Sequence, residues 1–222
     1  SKYIKSGSYI CDIGTGAGLP GLPLNIAFPH LKVVLLDSLQ KRVKFLNTVI
    51  EELGLKDIET LHGRAEDYAK KAEYREQFDL CVSRAVANLS TLSEYCIPYV
   101  KVGGAFIPYK SGEIEDELKQ AKKAVKILGG NVRDVVKFQL PGTEIGRSFV
   151  EIDKLEMTKK IEYSKYIDYK EFLELYEEYK SRISEIEFAQ ILGMSYGGYE
   201  RIKNLETARA KIMAGKGKII GK

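Results

Sequence analysis

Three alternating glycines, placed directly after the first apolar run of the chain, constrain the fold more than any other feature. They are Gly14, Gly16 and Gly18, within the stretch ICDIGTGAGLPGLPL at residues 10–24. The apolar run predicts a buried strand. The residues after Pro20 predict a short helix, because proline is tolerated in a first helical turn. A glycine-rich turn between strand and helix is typical of an α/β sheet that binds a ligand at its carboxyl edge.

The chain then alternates predicted strands and helices up to residue 155. The predicted strands are SYICDI, KVVLLD, IETLHG, FDLCVSRAV, GGAFIPYK and a closing hairpin of NVRDVVKFQL and RSFVEIDKL. The longer predicted helices are SLQKRVKFLNTVIEELG, with Ser38 as its N-cap, then RAEDYAKKAEYREQ, LSTLSEYCIPYV and GEIEDELKQAKKAVKILGG, with Gly129 as its stop. This alternation predicts a doubly wound, Rossmann-like α/β sheet for residues 1–155.

The last part of the chain has a different character. Residues 156–167 are polar and aperiodic and predict a linker. Residues 168–212 predict a small all-α module, in which EFAQILGMSYGGYERIKN has the layout of a helix-turn-helix. Residues 213–222, rich in lysine and glycine, predict a flexible basic tail. Either the module contacts DNA or RNA, or it packs on the first domain or on another copy of the chain.

Composition excludes several function classes. The chain has 222 residues and a net charge of +4, so it permits an anionic partner without requiring one. It contains no apolar run near the ~18 residues of a membrane span. The two histidines are isolated and the three cysteines lack metal-type spacing, so we expect no metal site. Free cysteines in apolar runs are typical of a protein of the reducing cytoplasm.

Acidic residues near the glycines help to choose between two ligand classes. Asp12 precedes the first glycine, where a carboxylate suits a ligand ammonium group and is unfavourable beside a pyrophosphate. Asp37 ends the second predicted strand and could accept both hydroxyls of a ribose, which fits either ligand. Ala65 and Glu66 follow the third strand, where an adenine edge would lie. The pattern favours S-adenosylmethionine, with a nicotinamide dinucleotide as the alternative.

Several segments carry a family resemblance. They are DIGTGAGLPGLPL, LLDSLQKRVKFLN, HGRAED, VSRAVANLSTLSEYCIPYVKVGGAFIPYKSG and ELKQAKKAVKILGG followed by LPGTEIGRS. From about residue 9 to about residue 155 the chain resembles the bacterial small-subunit ribosomal RNA guanine-N7 methyltransferase G family, formerly called glucose-inhibited division protein B. The motifs GLPG and SRAVA are specific to that family rather than to methyltransferases in general.

The resemblance implies a class I S-adenosylmethionine-dependent methyltransferase that methylates one guanine of 16S rRNA, in the 30S subunit or as free RNA. It implies cofactor contacts at Gly14, Leu19, Asp37, Ala65, Glu66 and Arg84. The family pattern also includes a helical segment before the first strand and a short basic tail. This sequence begins at the strand and has the helical module in place of the tail. We expect RNA binding and activity to depend on those parts more than cofactor binding does.

The chemistry of guanine N7 fits the absence of two catalytic motifs. N7 has an in-plane lone pair and no proton, so its methylation needs geometry and exclusion of water rather than a general base. A Pro-Pro-aromatic motif after the fourth strand and a Pro-Cys nucleophile are both absent. Arg84, at the end of the fourth strand, could contact the cofactor or orient the target base. Its alternative is a surface ion pair with Glu94 or Asp67.

Three further residues are candidates for RNA contacts. Asn88 could bond a base edge or cap the helix that follows it, and Lys110 and Arg147 could bind phosphates or be solvated charges. Tyr95, Tyr99 and Tyr109 could stack on a base or pack in the core. Two other functions stay open: a nucleic-acid-binding helix-turn-helix regulator with a ligand-sensing α/β domain, and a nicotinamide dehydrogenase.

Overall fold

The computed structural model describes residues 4–158, which lie within the first of the chain's two units, Ser1–Lys159. The predicted linker beyond residue 158, the helical module at 168–212 and the tail at 213–222 all lie outside the described residues. In the described part of the chain, no helix combines the length and the apolar character needed to cross a bilayer.

Seven strands and five α-helices make up the described residues. In chain order they are β1 (Tyr9–Ile13), α1 (Gly21–Ala27), β2 (Lys32–Asp37), α2 (Gln40–Glu52), β3 (Ile58–His62), α3 (Ala65–Tyr68), β4 (Phe78–Arg84), α4 (Leu89–Cys96), β5 (Val100–Ser111), α5 (Glu115–Ile127), β6 (Gly130–Gln139) and β7 (Gly146–Lys154). The strands form one sheet in the order β3-β2-β1-β4-β5-β7-β6. Strands β1 to β5 are parallel, and β7 runs antiparallel to both of its neighbours. The predicted α/β class is therefore confirmed.

Helices cover the central strands on both faces. On one face Leu22 of α1 and Leu46 of α2 belong to the buried cluster. On the other face the cluster includes Leu92 of α4 and Val125 of α5. Strands β1, β2 and β4 are apolar along nearly their whole length because a parallel sheet with helices on both sides leaves no wet face. This arrangement brings the carboxyl ends of the parallel strands together at one edge.

The predicted N-cap of α2 is wrong. No side chain caps this helix, and the N-cap position belongs to Leu39 rather than Ser38. The Leu39 N–H donates to Oδ1 of Asp37 at 2.9 Å, so the last side chain of β2 binds the residue just before the helix. At the end of α5 the prediction is confirmed: Gly129 has φ 82° and terminates the helix.

The predicted helix over RAEDYAKKAEYREQ is also wrong, because only α3 is helical there. Tertiary contacts hold the rest of the segment. The Arg75 guanidinium donates to Ala69 O at 3.2 Å and to Thr158 O at 2.6 Å. Glu76 has φ 55°, outside the helical region, and its N–H donates to Pro98 O at 2.9 Å. These contacts outweigh a helix propensity that was only local.

A buried lysine clamps the end of β7 to the domain. Lys154 is 1% exposed, and its ammonium group donates to Ile97 O and Leu128 O at 3.2 Å each. It also donates to the Thr158 hydroxyl and pairs with Glu76 at 3.2 Å. Burial is the main cause that lowers the pKa of Lys154 to about 8. The cluster ties the last described residues to both α4 and α5.

Candidate functional site

The glycine loop, residues 14–18, joins the end of β1 to α1. Its three glycines have φ values of 70°, 63° and 93°, which a residue with a Cβ rarely adopts. A Cβ on Gly14 would lie 2.5 Å from Cγ2 of Val86, and a Cβ on Gly18 would lie 2.2 Å from Cδ1 of Leu22. A Cβ on Gly16 would meet nothing closer than Gly14 O at 4.0 Å. The middle of the loop therefore faces open space, which leaves room for a ligand against bare backbone.

Asp12 lies beneath the glycine loop rather than at its exposed edge. It is 0% exposed, and its Oδ2 accepts hydrogen bonds from the Thr15 hydroxyl at 2.7 Å and from Gly21 N at 2.8 Å. Its Oδ1 is buried and has no hydrogen-bond partner among the described residues. Burial raises the pKa of Asp12 to about 6, opposed by those two bonds and by the charge of Arg84. The carboxylate shapes the loop and keeps one acceptor unused.

Asp37 fastens the other side of the same loop. It is 2% exposed, and its Oδ2 accepts from Gly16 N at 2.9 Å and from the Arg42 guanidinium at 3.2 Å. Because Oδ1 accepts from Leu39 N, both oxygens have a partner, although a carboxylate offers about four acceptor positions. A bond to a ribose hydroxyl would use the positions that are left. The predicted ribose role stays a prediction, and the structure adds that Asp37 holds the loop.

The remaining predicted cofactor residues surround this loop. Leu19 follows it and is 40% exposed, which is high for a leucine. Ala65 begins α3, and its carbonyl accepts from the Tyr99 hydroxyl at 2.6 Å. Glu66 is half-buried and lies 3.6 Å from the Arg64 guanidinium. These residues follow β1 and β3, so the fold brings them to the same edge of the sheet as Asp37.

Arg84 ends β4, and its side chain is exposed at this edge. Its guanidinium forms no ion pair or hydrogen bond with another of residues 4–158, so the predicted alternative of a surface ion pair is not observed there. One of the two candidate acids, Asp67, is 3.7 Å from Lys70 instead. The charge of Arg84 acts on Asp12, since it lowers the pKa of that carboxyl. Its five donors are available to a ligand at the junction of β1 and β4.

The crossing loop, residues 85–88, leads from Arg84 back over the glycine loop. It begins with Ala85 at φ 56°, an uncommon conformation for a residue with a Cβ. Val86 then packs against Gly14. A Cβ at position 14 would lie only 2.5 Å from Cγ2 of Val86, so the two residues are in close contact. The loop ends at Asn88, whose Oδ1 accepts from Thr91 N at 3.0 Å and caps α4. The cap explains Asn88 without RNA, and its contact with a base stays a prediction.

The two other predicted RNA contacts differ in availability. Lys110 has a side chain only 10% exposed, and its ammonium donates to Ala87 O at 2.8 Å and pairs with Glu117. Glu117 also accepts from Leu89 N, so this ion pair fastens the end of the crossing loop that leads into α4. Lys110 therefore has a structural role that the sequence did not indicate. Arg147 is exposed and, within residues 4–158, donates only to Gly146 O, at 2.8 Å. Phosphate contacts by either residue stay predictions.

Beyond Arg84 the sheet carries a cleft of about 740 Å³, within the range of ~300–1,000 Å³ that is typical of ligand sites. The residues that matter most in its lining are Arg84, Tyr109, Lys110, Phe138, Arg147 and Phe149. Sequence reasoning named Tyr109 but missed Phe138 and Phe149. The alternation of apolar and polar residues in the last two strands places Phe138 and Phe149 on one face. The alternation does not say whether helices cover that face. No group of three or more metal-ligating side chains occurs among the described residues.

The three predicted stacking tyrosines have separate outcomes. Tyr99 is 1% exposed and packs near Phe78 with ring centroids 5.9 Å apart, so it is a core residue. Tyr95 is half-buried on α4 against the core cluster. Tyr109 lines the cleft, and burial raises the pKa of its hydroxyl. Only Tyr109 thus lies where a base could reach it in the described part of the chain.

Comparisons with a family model and with curated proteins point to the same family. The family model described as "GidB: rRNA small subunit methyltransferase G" matches residues 1–145. Curated relatives named ribosomal RNA small subunit methyltransferase G include one from Lachnoclostridium phytofermentans, 52% identical over 160 residues, which are 72% of this chain and 66% of the relative. One from Clostridium botulinum strain Loch Maree is 52% identical over 68% of this chain and 63% of the relative. The matched region thus spans somewhat less than two thirds of these relatives.

Solved structures share the fold at low identity. The crystal structure of M. jannaschii TYW2 in complex with AdoMet has a TM-score of 0.54 and 14% identity, covering 68% of this chain and 71% of that one. The YcgJ protein of Bacillus subtilis has a TM-score of 0.52 and 12% identity, covering 68% of this chain and 94% of that one. These matches support the Rossmann-like architecture of the described residues.

Proposed function

The chain belongs to the rRNA small subunit methyltransferase G family, and from this membership we propose that it transfers a methyl group from S-adenosyl-L-methionine to N7 of a guanine in 16S rRNA. The observation that carries the proposal is the family match over residues 1–145. It includes every residue that we assign to the cofactor, from Asp12 to Arg84. The nicotinamide dehydrogenase has no comparable support.

The residues around the glycine loop suit the cofactor. The open space above Gly16 would admit its backbone-contacting part. The Asp12 carboxylate is fully buried beneath the loop, so it would favour the ammonium group of the ligand through its charge rather than by direct contact. Asp37 would accept from the ribose, and Leu19, Ala65 and Glu66 would enclose the adenosine. When bound, adenosylmethionine supplies an electrophilic methyl group on a positively charged sulfur.

The proposed mechanism needs no general base and no covalent intermediate. Guanine N7 donates its lone pair to the methyl carbon, the carbon–sulfur bond breaks with its electron pair left on sulfur, and the positive charge moves to the purine. No proton has to be removed. The three cysteines are all buried, and burial raises the pKa of each thiol, so none is a nucleophile at neutral pH. The protein contributes orientation and exclusion of water.

Arg84 is the residue that we assign to orientation of the target base. Arginine recognises guanine by donating to O6 and N7. Here N7 must stay free to react, so we assign the guanidinium a donation to O6. The Arg84 side chain is exposed, and its donors are unused by the other described residues, which supports this role.

The proposed substrate is the small-subunit RNA, as the 30S particle or as free 16S rRNA, and the proposed location is the cytoplasm. The free, buried cysteines suit a reducing compartment. The net charge of +4 suits an RNA partner. Contact of the helical module with DNA or RNA stays a prediction, since its residues lie outside the described part of the chain.

A methyl-transfer assay tests the proposal. Tritiated adenosylmethionine is incubated with the full chain and either unmodified 30S particles or naked 16S rRNA. We expect radioactivity in the RNA at one position that becomes sensitive to borohydride reduction followed by aniline, a treatment that cleaves at 7-methylguanosine. Label in the RNA without such cleavage would contradict N7. No label with either substrate, from a chain that binds adenosylhomocysteine, would contradict the whole proposal.

A further inference from the structure

The crossing loop, residues 85–88, begins in a strained conformation. Its first residue, Ala85, has φ 56°, which a residue with a Cβ adopts only where the surrounding structure holds it. The residue before it, Arg84, is paired with β5 in the sheet, so the loop leaves β4 from a fixed point. The residue after it, Val86, packs against Gly14 of the glycine loop. The conformation of the crossing loop therefore depends on what holds its other end.

A largely buried ion pair holds that other end. The ammonium group of Lys110, on β5, donates to Ala87 O at 2.8 Å, and the Lys110 side chain is only 10% exposed. Glu117, on α5, uses a single oxygen, Oε1, to accept from Lys110 and from Leu89 N, at the first residue of α4. The two elements that follow α4 in the chain thus bind the residues on both sides of Asn88.

The ion pair does more than complete the end of a helix. Asn88 already caps α4, because its Oδ1 accepts from Thr91 N at 3.0 Å. The bond from Lys110 acts on Ala87 O, which lies before the cap and within the crossing loop. A buried ion pair contributes little net stability, because both charges lose their water, but it can fix one arrangement of the groups that it binds. Stability alone therefore does not account for this pair.

The crossing loop borders the place that we assign to methyl transfer. Arg84 directly precedes it, and the charge of Arg84 lowers the pKa of Asp12 beneath the glycine loop. Val86 lies against Gly14, at the end of β1. A shift of the crossing loop would move Val86 across the glycine loop and turn Arg84 away from it. Methyl transfer depends on geometry, and a misplacement of ~1 Å can lower a rate by about a hundredfold.

We propose that Lys110 and Glu117 are positioning residues for methyl transfer. They hold the crossing loop in the conformation that sets Val86 on the glycine loop and Arg84 beside the methyl donor. Both residues act through the loop rather than by contact with the cofactor. This inference rests on the proposed function and adds to it two residues that lie outside the cofactor site.

A double-mutant cycle on methyl transfer tests the proposal. Lys110→Met and Glu117→Leu should each lower kcat by about tenfold, with an unchanged KM for adenosylmethionine. The double variant should lose no more than either single variant, because both residues hold the same loop, whereas independent roles would multiply to about a hundredfold. Glu117→Gln keeps the Oε1 acceptor and should stay within about threefold of the parent chain.

The controls separate positioning from stability. Lys119→Met, at an exposed ion pair on α5, should leave kcat unchanged. An unchanged kcat in a folded Lys110→Met chain would overturn the proposal, and so would a hundredfold loss in the double variant. If Glu117→Leu fails to fold because it leaves the buried Lys110 charge unpaired, the comparison of Lys110→Met with the double variant still decides, since the double variant carries neither charge.

Limited proteolysis reports on the crossing loop without any methyl transfer. Trypsin cleaves after arginine, and a loop held by the ion pair should resist cleavage after Arg84. We expect the fragment that ends at Arg84 to appear about tenfold faster from Lys110→Met than from the parent chain or Lys119→Met, because a lost charged hydrogen bond favours the open loop. Equal rates in the three folded chains would overturn the proposal. If the parent chain transferred no methyl group to any RNA, the proposed function would fail, and the cleavage rates would still decide whether the pair holds the loop.

Discussion

The two halves of the sheet are built in opposite ways. In the cofactor half, β3, β2, β1 and β4, helices cover both faces, and the buried carboxylates Asp12 and Asp37 bond the loop that they support. In the other half, β5, β7 and β6, which we call the acceptor half, the described helices α4 and α5 pack on one face, and the opposite face carries partly buried rings. The contrast teaches how a site can bind one small molecule in a fixed shape and leave space for a large, variable one.

The contrast between the two halves has a physical basis in the conformational entropy that a site loses when it binds a ligand. A cofactor is bound in the same conformation at every turnover, so a loop held in advance by buried bonds loses little entropy on binding. RNA brings its own shape, and the exposed guanidinium groups of Arg84 and Arg147 can adapt to it. We therefore expect substitutions in the cofactor half to cause large losses of cofactor affinity. Substitutions in the acceptor half should change RNA binding and methyl transfer and leave cofactor affinity unchanged.

The most severe test of the cofactor half is Gly16→Val. Its φ of 63° is strained for any residue with a branched Cβ, at about 1–3 kcal/mol, and the side chain would fill the open space above the loop. We expect calorimetry to detect no binding of adenosylhomocysteine. Gly54→Val is the control, since Gly54 has φ 59° and open space around it but lies after α2. Retained binding in a folded Gly16→Val chain would contradict the loop assignment.

The next effect is that of Asp37→Ala. It removes charge-assisted bonds worth roughly 1.5–3 kcal/mol, so affinity for adenosylhomocysteine should fall by about ten- to a hundredfold. Because Asp37 also pairs with Arg42, whose side chain is 48% exposed, the variant Arg42→Met removes that pair by itself. A partly exposed pair contributes little, so Arg42→Met should change affinity by less than about fivefold. Equal losses in the two variants would show that the ion pair, not the loop or the ribose, carries the effect.

Asp12 gives the comparison a pH dependence. Its pKa of about 6 in the folded protein lies above the ordinary value of 3.8, so between these pH values the folded state binds more protons than the unfolded state. Stability contributed by Asp12 is therefore full at low pH and is lost as the pH rises to about 6, by roughly 1–3 kcal/mol. Urea unfolding from pH 4 to 7 should show Asp12→Asn gaining on the parent chain as the pH rises. A constant difference between the two chains would contradict the buried, ionisable carboxyl.

The smallest expected effect lies at the link between the halves. Lys110→Met breaks the pair with Glu117 that fastens the crossing loop, and it should lower methyl transfer by roughly tenfold through Arg84, with an unchanged affinity for adenosylhomocysteine. Lys119→Met is the control, because Lys119 forms an exposed ion pair with Asp116 on α5, the helix that carries Glu117. A Lys110→Met chain that lost cofactor affinity in parallel would show that the two halves are not separable.

Sequence reasoning was strongest where one short pattern determines one local structure. The glycine loop, the strand-terminal Asp37 and the alternation of strands and helices could all be predicted, because each depends on neighbouring residues. It failed where distant residues decide. Contacts of Arg75 with Thr158 and of Glu76 with Pro98 hold a segment that was predicted to be helical in a non-helical conformation. Lys110 pairs with Glu117, which lies on another element, α5.

The cleft beyond Arg84 shows the same limit of sequence reasoning in another part of the sheet. Alternation places Phe138 and Phe149 on one face of their strands, but it does not say that this face is the one away from α4 and α5. That assignment depends on which face α4 and α5 cover, and on the register that aligns Phe149 with Tyr109. Neither the packing of the helices nor the register of the strands can be predicted from a short sequence motif.

The strand order also dictates when each half can be completed during synthesis. Strand β6 is made before β7, yet β7 is the strand that joins it to β5. A nascent chain that has emerged as far as Gln139 can pair β1 through β5, while β6 has no neighbour to bond. Because synthesis proceeds from the N-terminus, the cofactor half can form before β6 and β7 complete the acceptor half. The pairing of β7 with β5 and β6 is then the last step, and it is completed once Lys154 has emerged and docked.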